Sequence, residues 1–152
     1  MKARIGKAAA AVLAAAVLAA CGSRFESVTV HRSGGIRGVD ETYSLRKDGV
    51  GRIEKKREAE TRTVKVDDEV LERLAAVADR LPDVEKAPAF QTGQGADFFS
   101  YELTLERKDA EPLIYAWDDG VRAADAVEES TLAALRDLSR AVIEEVGNAV
   151  ER

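Results

Sequence analysis

Residues 99–106 read FSYELTLE and carry the clearest strand signal of the chain. Apolar and polar side chains alternate along this stretch, which is the pattern of a strand that buries one side and exposes the other. After a polar turn over residues 107–111, the sequence LIYAW at residues 113–117 repeats the alternation. Two strands separated by so short a turn predict an antiparallel hairpin.

Four stretches further upstream show the same alternation. They are residues 25–31, 41–46, 50–56 and 61–66. Asp48 and Gly49, between the second and the third stretch, are typical of a tight hairpin turn. Short connections of this kind predict that neighbouring strands pair in antiparallel fashion.

Apolar residues at three- and four-residue spacing predict two helices. The first covers residues 68–81, with Asp67 as its N-cap and Pro82 as its stop. The second covers residues 131–146, with Ser130 as its N-cap. Each helix has a single apolar stripe, so both are expected to pack on one face of the sheet. The sequence therefore predicts an α+β fold: a single small domain with an antiparallel sheet of five to six strands and two amphipathic helices on one face.

Composition and charge narrow the classes of function. The chain of 152 residues has 23 basic and 28 acidic side chains, and its formal charge is -5. One His and one Cys are too few for a metal cage built from those residues, and a single Cys excludes a disulfide within the chain. Residues 21–152 hold 20 basic and 28 acidic side chains, and the resulting net charge of -8 argues against a broad nucleic-acid interface. We expect no cofactor, no metal and no nucleic-acid partner.

Residues 1–20 have the features of an export signal. Lys2, Arg4 and Lys7 precede 13 consecutive apolar residues at positions 8–20. A run of this length is too short to cross a bilayer core of about 30 Å, but it fits the apolar region of a secretory signal.

The end of this segment, Leu18-Ala19-Ala20-Cys21, resembles the lipobox of bacterial lipoproteins. The resemblance implies that Cys21 carries palmitate and becomes the first residue of the mature chain. The alternative is an Ala-rich core helix with a buried Cys21, but the basic flank, the run length and the Cys position together favour the signal. We expect a signal peptide at residues 1–20, a lipidated tether at residues 21–24 and a domain at residues 25–149. The protein would then be held on the extracytoplasmic face of the bacterial cell membrane or outer membrane.

Few side chains point to catalysis, and we expect the protein not to be an enzyme. His31 lies at the polar-facing end of the first strand with no evident partner in the sequence, and a surface position is its simplest interpretation. Asp118 and Asp119 are typical of a turn, whereas Glu128 and Glu129 supply the negative charge favoured at a helix start. We assign none of them a catalytic or metal-binding role.

The glycine-rich loop after the first strand is the best candidate for a functional site. It consists of Ser33, Gly34, Gly35, Ile36, Arg37 and Gly38. Glycines allow unusual dihedral angles and close approach of the backbone to a partner. Burial of one isoleucine contributes about 1.5–3 kcal/mol. Two interpretations stay open: Ile36 enters a pocket of a partner, or it folds back onto the core of its own domain.

Two segments resemble the emfourin family, small proteinaceous inhibitors of the protealysin-like branch of thermolysin-type metalloproteases. Residues 28–38, VTVHRSGGIRG, resemble the strand and Ser-Gly-Gly-apolar-x-Gly loop of that family. Residues 95–106, GADFFSYELTLE, resemble its strand with Gly-Ala-Asp, an aromatic residue, Tyr, Thr and Glu. The chain differs at two loop positions, where Ile36 replaces a commonly aromatic residue and Arg37 a usually small one.

The resemblance implies a function in protein binding. Thermolysin-type proteases favour a large apolar residue just after the scissile bond, so Ile36 is the side chain expected in that pocket, and Gly34 and Gly35 would let the backbone approach the zinc cleft. The expected partners are a secreted or envelope metalloprotease and, through the lipid anchor, a membrane; the oligomeric state stays open. The alternative is a non-inhibitory envelope lipoprotein that serves as a protein-interaction or structural module.

Overall fold

Six strands and two α-helices make up the part of the chain that the computed structural model describes, residues 23–82, 90 and 97–149. Residues 1–20, Cys21 and Gly22, and with them the expected signal and lipidation site, lie outside the described residues. A short 3-10 helix, Lys56–Glu58, joins the third and fourth strands. The other elements are β1 (Phe25–Gly34), β2 (Val39–Arg46), β3 (Val50–Lys55), β4 (Glu60–Lys65), α1 (Asp68–Ala78), β5 (Phe99–Arg107), β6 (Leu113–Asp118) and α2 (Ala126–Asn148).

The strands form one sheet in the order β4-β3-β2-β1-β5-β6. Every neighbouring pair is antiparallel, which confirms the α+β fold predicted from the short turns and the alternating strands. β1 lies inside the sheet and pairs with β2 on one side and β5 on the other. Since β5 pairs with β1 and not with β4, the chain crosses from one edge of the sheet to the opposite half between β4 and β5.

The two faces of the sheet differ in polarity, as the alternation requires. On β1, Val28 and Val30 are fully buried, whereas Thr29 and His31 on the opposite face are partly exposed. Each fully buried Val or Leu contributes about 1.5–3 kcal/mol from the apolar area removed from water. The facing apolar stripe comes from α2 and is also fully buried; it consists of Leu132, Leu135, Leu138, Val142 and Val146.

The start of α2 differs from the prediction. The helix begins at Ala126, and Asp125 is its N-cap: the Asp125 side chain accepts hydrogen bonds from the backbone N–H groups of Val127 and Glu128, both at 2.9 Å. Ser130, the predicted cap, lies inside the helix and is exposed. The apolar pattern missed the first turn because Val127, its largest apolar side chain, faces solvent with 74% of its surface exposed.

The end of α1 also differs from the prediction. The helix stops at Ala78, three residues before the predicted Leu81, although Leu81 is buried as the apolar stripe suggested. Proline disfavours the α conformation of the residue before it, so Pro82 ends regular helix geometry ahead of Leu81. Asp67 precedes the helix as expected, but its side chain makes no capping hydrogen bond.

Both ends of β1 are held in place. Ser23 Oγ donates to Asp79 Oδ2 at 2.9 Å, and the backbone N–H of Lys108 donates to the carbonyl of Arg24 at 2.7 Å. At its other end the strand continues into the turn that leads to β2. β1 therefore connects the N-terminal end of the domain with the glycine-rich loop at the opposite end of the sheet. None of the described helices is long and apolar enough to cross a membrane.

Candidate functional site

The glycine-rich loop is shorter than the sequence suggested. Ser33 and Gly34, predicted as loop residues, are the last residues of β1, where Ser33 pairs with Asp40 of β2 and Ser100 of β5. The turn itself covers residues 35–38, and the N–H of Gly38 donates to the carbonyl of Gly35 at 2.9 Å. The prediction was wrong at its first two residues because strand pairing on both sides holds the glycine-containing end of β1 extended.

Two glycines fix the path of the turn against β5. Gly34 has φ +103, and a Cβ at this position would lie 2.7 Å from the carbonyl oxygen of Phe98. Gly35 has φ +69, its N–H donates to the same carbonyl at 3.2 Å, and a Cβ would lie 2.9 Å from the Phe99 ring. Only glycine combines these dihedral angles with so close an approach. The turn is therefore seated on the beginning of β5.

Ile36 projects from this seated turn into solvent. Its side chain is 86% exposed, more than any other large apolar side chain of the described residues; the next are Val127 at 74% and Ile114 at 56%. The interpretation in which Ile36 folds back onto its own core is therefore wrong. Among the large apolar side chains of the described residues, Ile36 is therefore the one most available for contact with another molecule.

Two arginines lie close to the turn that carries Ile36. Arg37 is exposed next to Ile36, and the turn between β3 and β4 brings Lys56 and Arg57 to the same end of the sheet. Arg57 Nη1 lies 3.6 Å from the place where a Cβ on Gly38 would stand. Neither Arg37 nor Arg57 forms an ion pair with another described residue. The turn between β3 and β4 thus brings the guanidinium of Arg57 next to Gly38, the last residue of the turn that carries Ile36 and Arg37.

An ion pair supports the base of the loop on the helix-covered face. Arg32 Nη2 donates to Glu41 Oε2 at 2.5 Å, and the guanidinium lies over the Phe99 ring at 5.3 Å from its centroid. Burial opposes the charge on Arg32, but the hydrogen bond and the attraction from Glu41 outweigh it, so the pKa of Arg32 is raised. Tyr43 donates to the same carboxylate at 3.1 Å, and burial together with Glu41 raises the pKa of Tyr43.

His31 has a partner that the sequence did not reveal. His31 Nε2 lies 2.9 Å from Asp40 Oδ1 across the β1–β2 hairpin, and Lys56 Nζ lies 3.4 Å from the other oxygen of Asp40. The hydrogen bond from His31, followed by the charge of Lys56, lowers the pKa of Asp40. Hairpin register is the signal that could have found the pair, because a turn at residues 35–38 places residues 31 and 40 in diagonal contact. These contacts connect the strands on both sides of the glycine-rich turn with the turn between β3 and β4.

The other acidic candidates have local structural roles. Asp118 Oδ1 accepts from the N–H of Gly120 at 2.9 Å, and Asp119 Oδ2 accepts from the N–H of Phe99 at 3.4 Å, as in the predicted turn. Glu128 Oε2 accepts from the N–H of Ala124 at 2.8 Å beside the start of α2. Within the described ranges no group of three His, Cys, Asp or Glu side chains could hold a metal ion.

Comparisons with known proteins do not indicate a function, so the candidate site rests on the geometry of the loop. No protein-family model matches the chain, and no curated protein matches it. The features available to a partner are therefore those of the geometry: a turn seated on β5, an exposed Ile36, and the guanidinium groups of Arg37 and Arg57 beside it. This arrangement can bind a cleft that has an apolar pocket.

Proposed function

We propose that the protein is a membrane-anchored inhibitor of a thermolysin-like, protealysin-type metalloprotease outside the cytoplasm. The loop of Ser33, Gly34, Gly35, Ile36, Arg37 and Gly38 is the part that enters the protease. The observation that carries the proposal is the 86% exposure of Ile36 on a turn that joins two paired strands, β1 and β2. Such a tip offers the large apolar side chain that this class of protease accepts just after the scissile bond.

The seating of the turn supports inhibition over cleavage. The turn is already ordered by pairing of β1 with β2 and by the hydrogen bond from Gly35 to Phe98, so little conformational entropy is lost on binding. If the protease cut the turn, both new ends would stay attached to strands of the same sheet. Religation or slow release would then compete with product departure, and the loop would occupy the cleft as a poor substrate.

The emfourin resemblance supports the same proposal. The two segments of this chain that resemble emfourins, residues 28–38 and 95–106, are far apart in the sequence. They nevertheless pair directly in the sheet as parts of β1 and β5, with Gly34 opposite Phe99 and Arg32 opposite Tyr101. The second segment therefore forms the surface on which the turn of the first is seated. A partner would meet residues of both segments at one end of the domain.

The expected lipid anchor on Cys21 is compatible with a loop that acts at the far end of the domain. Ser23, two residues after Cys21, donates a hydrogen bond to Asp79, the residue that follows α1, at the end of the sheet where β1 begins. β1 has ten residues and at strand geometry spans about 33 Å. A lipid on Cys21 would hold that end near the bilayer surface, and β1 would carry the loop to the far end, towards a protease in solution or in the envelope.

An inhibition titration tests the proposal. The chain lacking residues 1–21 is added in increasing amounts to a thermolysin-like protease, and hydrolysis of a peptide substrate is followed. We expect activity to fall to its limit near one inhibitor per protease. Full activity at a large excess of the chain would refute inhibition and favour the alternative, an envelope lipoprotein with an interaction or structural role.

A further inference from the structure

β6 is an edge strand, and no other strand of the described residues lies on its outer side. It is the last strand in the order of the sheet, and β5 is the one described strand that pairs with it. An edge strand turns the N–H and C=O groups of every second residue away from the sheet, where another chain can pair with them. Neither the turn that carries Ile36 nor the expected lipid anchor uses this side of the domain.

The register of β5 and β6 identifies the groups that point outward. The N–H of Asp119, the residue after β6, donates to the carbonyl of Phe99 at 3.1 Å. Because hydrogen-bonded and non-bonded pairs alternate along an antiparallel ladder, every second residue counted back from Asp119 bonds to β5. Ile114 and Ala116 are the residues in between, so their N–H and C=O groups point away from β5. These two residues offer four backbone groups to an added strand.

The two edges of the sheet differ in charge. β4, at the opposite edge, has the sequence ETRTVK, in which three of the six residues are charged. Charged side chains on an edge strand hinder its pairing with a further strand. Residues 113–117 of β6, LIYAW, include no charged residue. β6 is therefore the edge that is better suited to pairing.

The side chains at this edge indicate the chemistry of the partner. Ile114 is 56% exposed, and Ala116, two residues further on the same face, is also exposed. In the register Ala116 lies beside Glu102, an exposed carboxylate that forms no ion pair with another described residue. His31, on the other side of Glu102, contacts Asp40 instead. An added strand would therefore match this edge with an apolar residue across from Ile114 and a cationic residue across from Ala116, which faces Glu102 over a small side chain.

We propose that β6 binds an extended segment of another protein, which adds to the sheet as a further antiparallel strand. The segment has a cationic residue followed, two positions later, by a β-branched apolar residue. Backbone hydrogen bonds to Ile114 and Ala116 hold it at the edge. A second copy of the chain suits this edge less, because antiparallel pairing of β6 with β6 would place the two N-terminal ends, each with its expected anchor, at opposite ends of the joined sheet. Binding at β6 does not depend on protease inhibition by the Ile36 loop.

A short peptide with this pattern tests the proposal. Isotope-labelled full-length protein in detergent is titrated with acetyl-Ser-Thr-Lys-Thr-Val-Thr-Ser-amide, and the backbone amide signals are followed by NMR. We expect the Ile114 and Ala116 signals to shift in a saturable manner, and at saturation both amides should exchange with solvent about tenfold more slowly.

N-methylated peptides test the backbone pairing itself. N-methylation of the Lys and Val of the peptide removes the two N–H groups that face β6, and it should weaken binding about tenfold or more. N-methylation of the two Thr residues on either side of Val changes N–H groups that face away from β6, and this peptide should bind as the unmodified one does.

Matched substitutions at the two edges test the place of binding. Ala116→Lys puts a like charge across from the Lys of the peptide and should weaken binding about fivefold or more. Thr63→Lys makes the same change at an exposed position of β4 and should bind as the wild type does. Absence of saturable shifts at Ile114 and Ala116, equal binding of the two N-methylated peptides, or unaltered binding by Ala116→Lys would each overturn the proposal. Shifts of the same two amides when the protein alone is concentrated would show a second copy at the edge and would also overturn it.

Discussion

Gly34 and Gly35 determine how the turn holds Ile36 out into solvent. Their left-handed backbone angles turn the chain at the end of β1, and the missing Cβ atoms let the turn rest on Phe98 and Phe99. Replacement of either glycine should therefore disturb the contact of the turn with Phe98 and Phe99, while the side chain of Ile36 itself stays the same.

Gly34→Ala should lower the free energy of unfolding by at least about 2 kcal/mol, because the left-handed conformation alone costs roughly 1–2 kcal/mol and the new Cβ meets a backbone oxygen at 2.7 Å. Gly38→Ala is the matched control: its φ is +61, but the nearest atom, Arg57 Nη1, is 3.6 Å away on a flexible side chain. Denaturant unfolding should show a loss of only about 1 kcal/mol for Gly38→Ala. Equal losses would show that the contact with Phe98 does not constrain the turn.

Single residues were predicted unevenly from the sequence. The glycines marked the turn because few other residues tolerate positive φ, and the alternation marked Val28 and Val30 as buried. The exposure of Ile36 was not predictable, because it depends on the contact of Gly35 with β5, a strand more than 60 residues further along the chain. The partner of His31 likewise depends on strand register, which places Asp40 diagonally across the hairpin.

The start of α2 shows how capping and amphipathic pattern give different boundaries. Asp125 provides two hydrogen bonds to the first turn, and Glu128 reaches back to the N–H of Ala124. The apolar stripe that predicts a helix begins only at Leu132, after this turn is complete. Strands were predicted more accurately, since alternation runs along their whole length and Gly49, with φ +76, marks a tight turn.

Asp125→Ala should lower the free energy of unfolding by about 1 kcal/mol, because two backbone N–H groups at the helix start lose their acceptor. Ser130→Ala should change it by less than about 0.5 kcal/mol, because the hydroxyl is exposed inside the helix. Chemical denaturation of both variants measures the difference. A larger loss for Ser130→Ala would contradict the observed start of α2.

At the scale of the whole domain, the N-terminal end and the glycine-rich turn lie at opposite ends of the sheet. β1 begins where the chain leaves Ser23 and Arg24 and ends at the exposed turn, so the two ends of the sheet have separate tasks in the proposed function. The fold class followed from periodicity and turn length in the sequence. The sheet order, in which β5 inserts beside β1, did not follow, because it is set by packing between distant segments.

The proposed orientation on a membrane depends on acylation of Cys21. We expect the wild-type chain, expressed in a bacterium supplied with labelled palmitate, to incorporate the label, and Cys21→Ser to incorporate none because serine lacks the thiol that is acylated. Ser23→Ala is the control and should be labelled as the wild type is. Label on Cys21→Ser, or none on the wild type, would contradict the lipoprotein assignment.

In the proposed function, Ile36 enters the cleft of a metalloprotease. The most direct measurement compares inhibition of a thermolysin-like protease by the wild-type domain, by Ile36→Asp and by Ile114→Asp, whose exposed isoleucine lies on β6 opposite Thr104, away from the turn. We expect Ile36→Asp to lose about a hundredfold in inhibitory potency with unaltered thermal unfolding, and Ile114→Asp to inhibit as the wild type does. Equal inhibition by Ile36→Asp and the wild type would contradict the entry of Ile36 into the cleft.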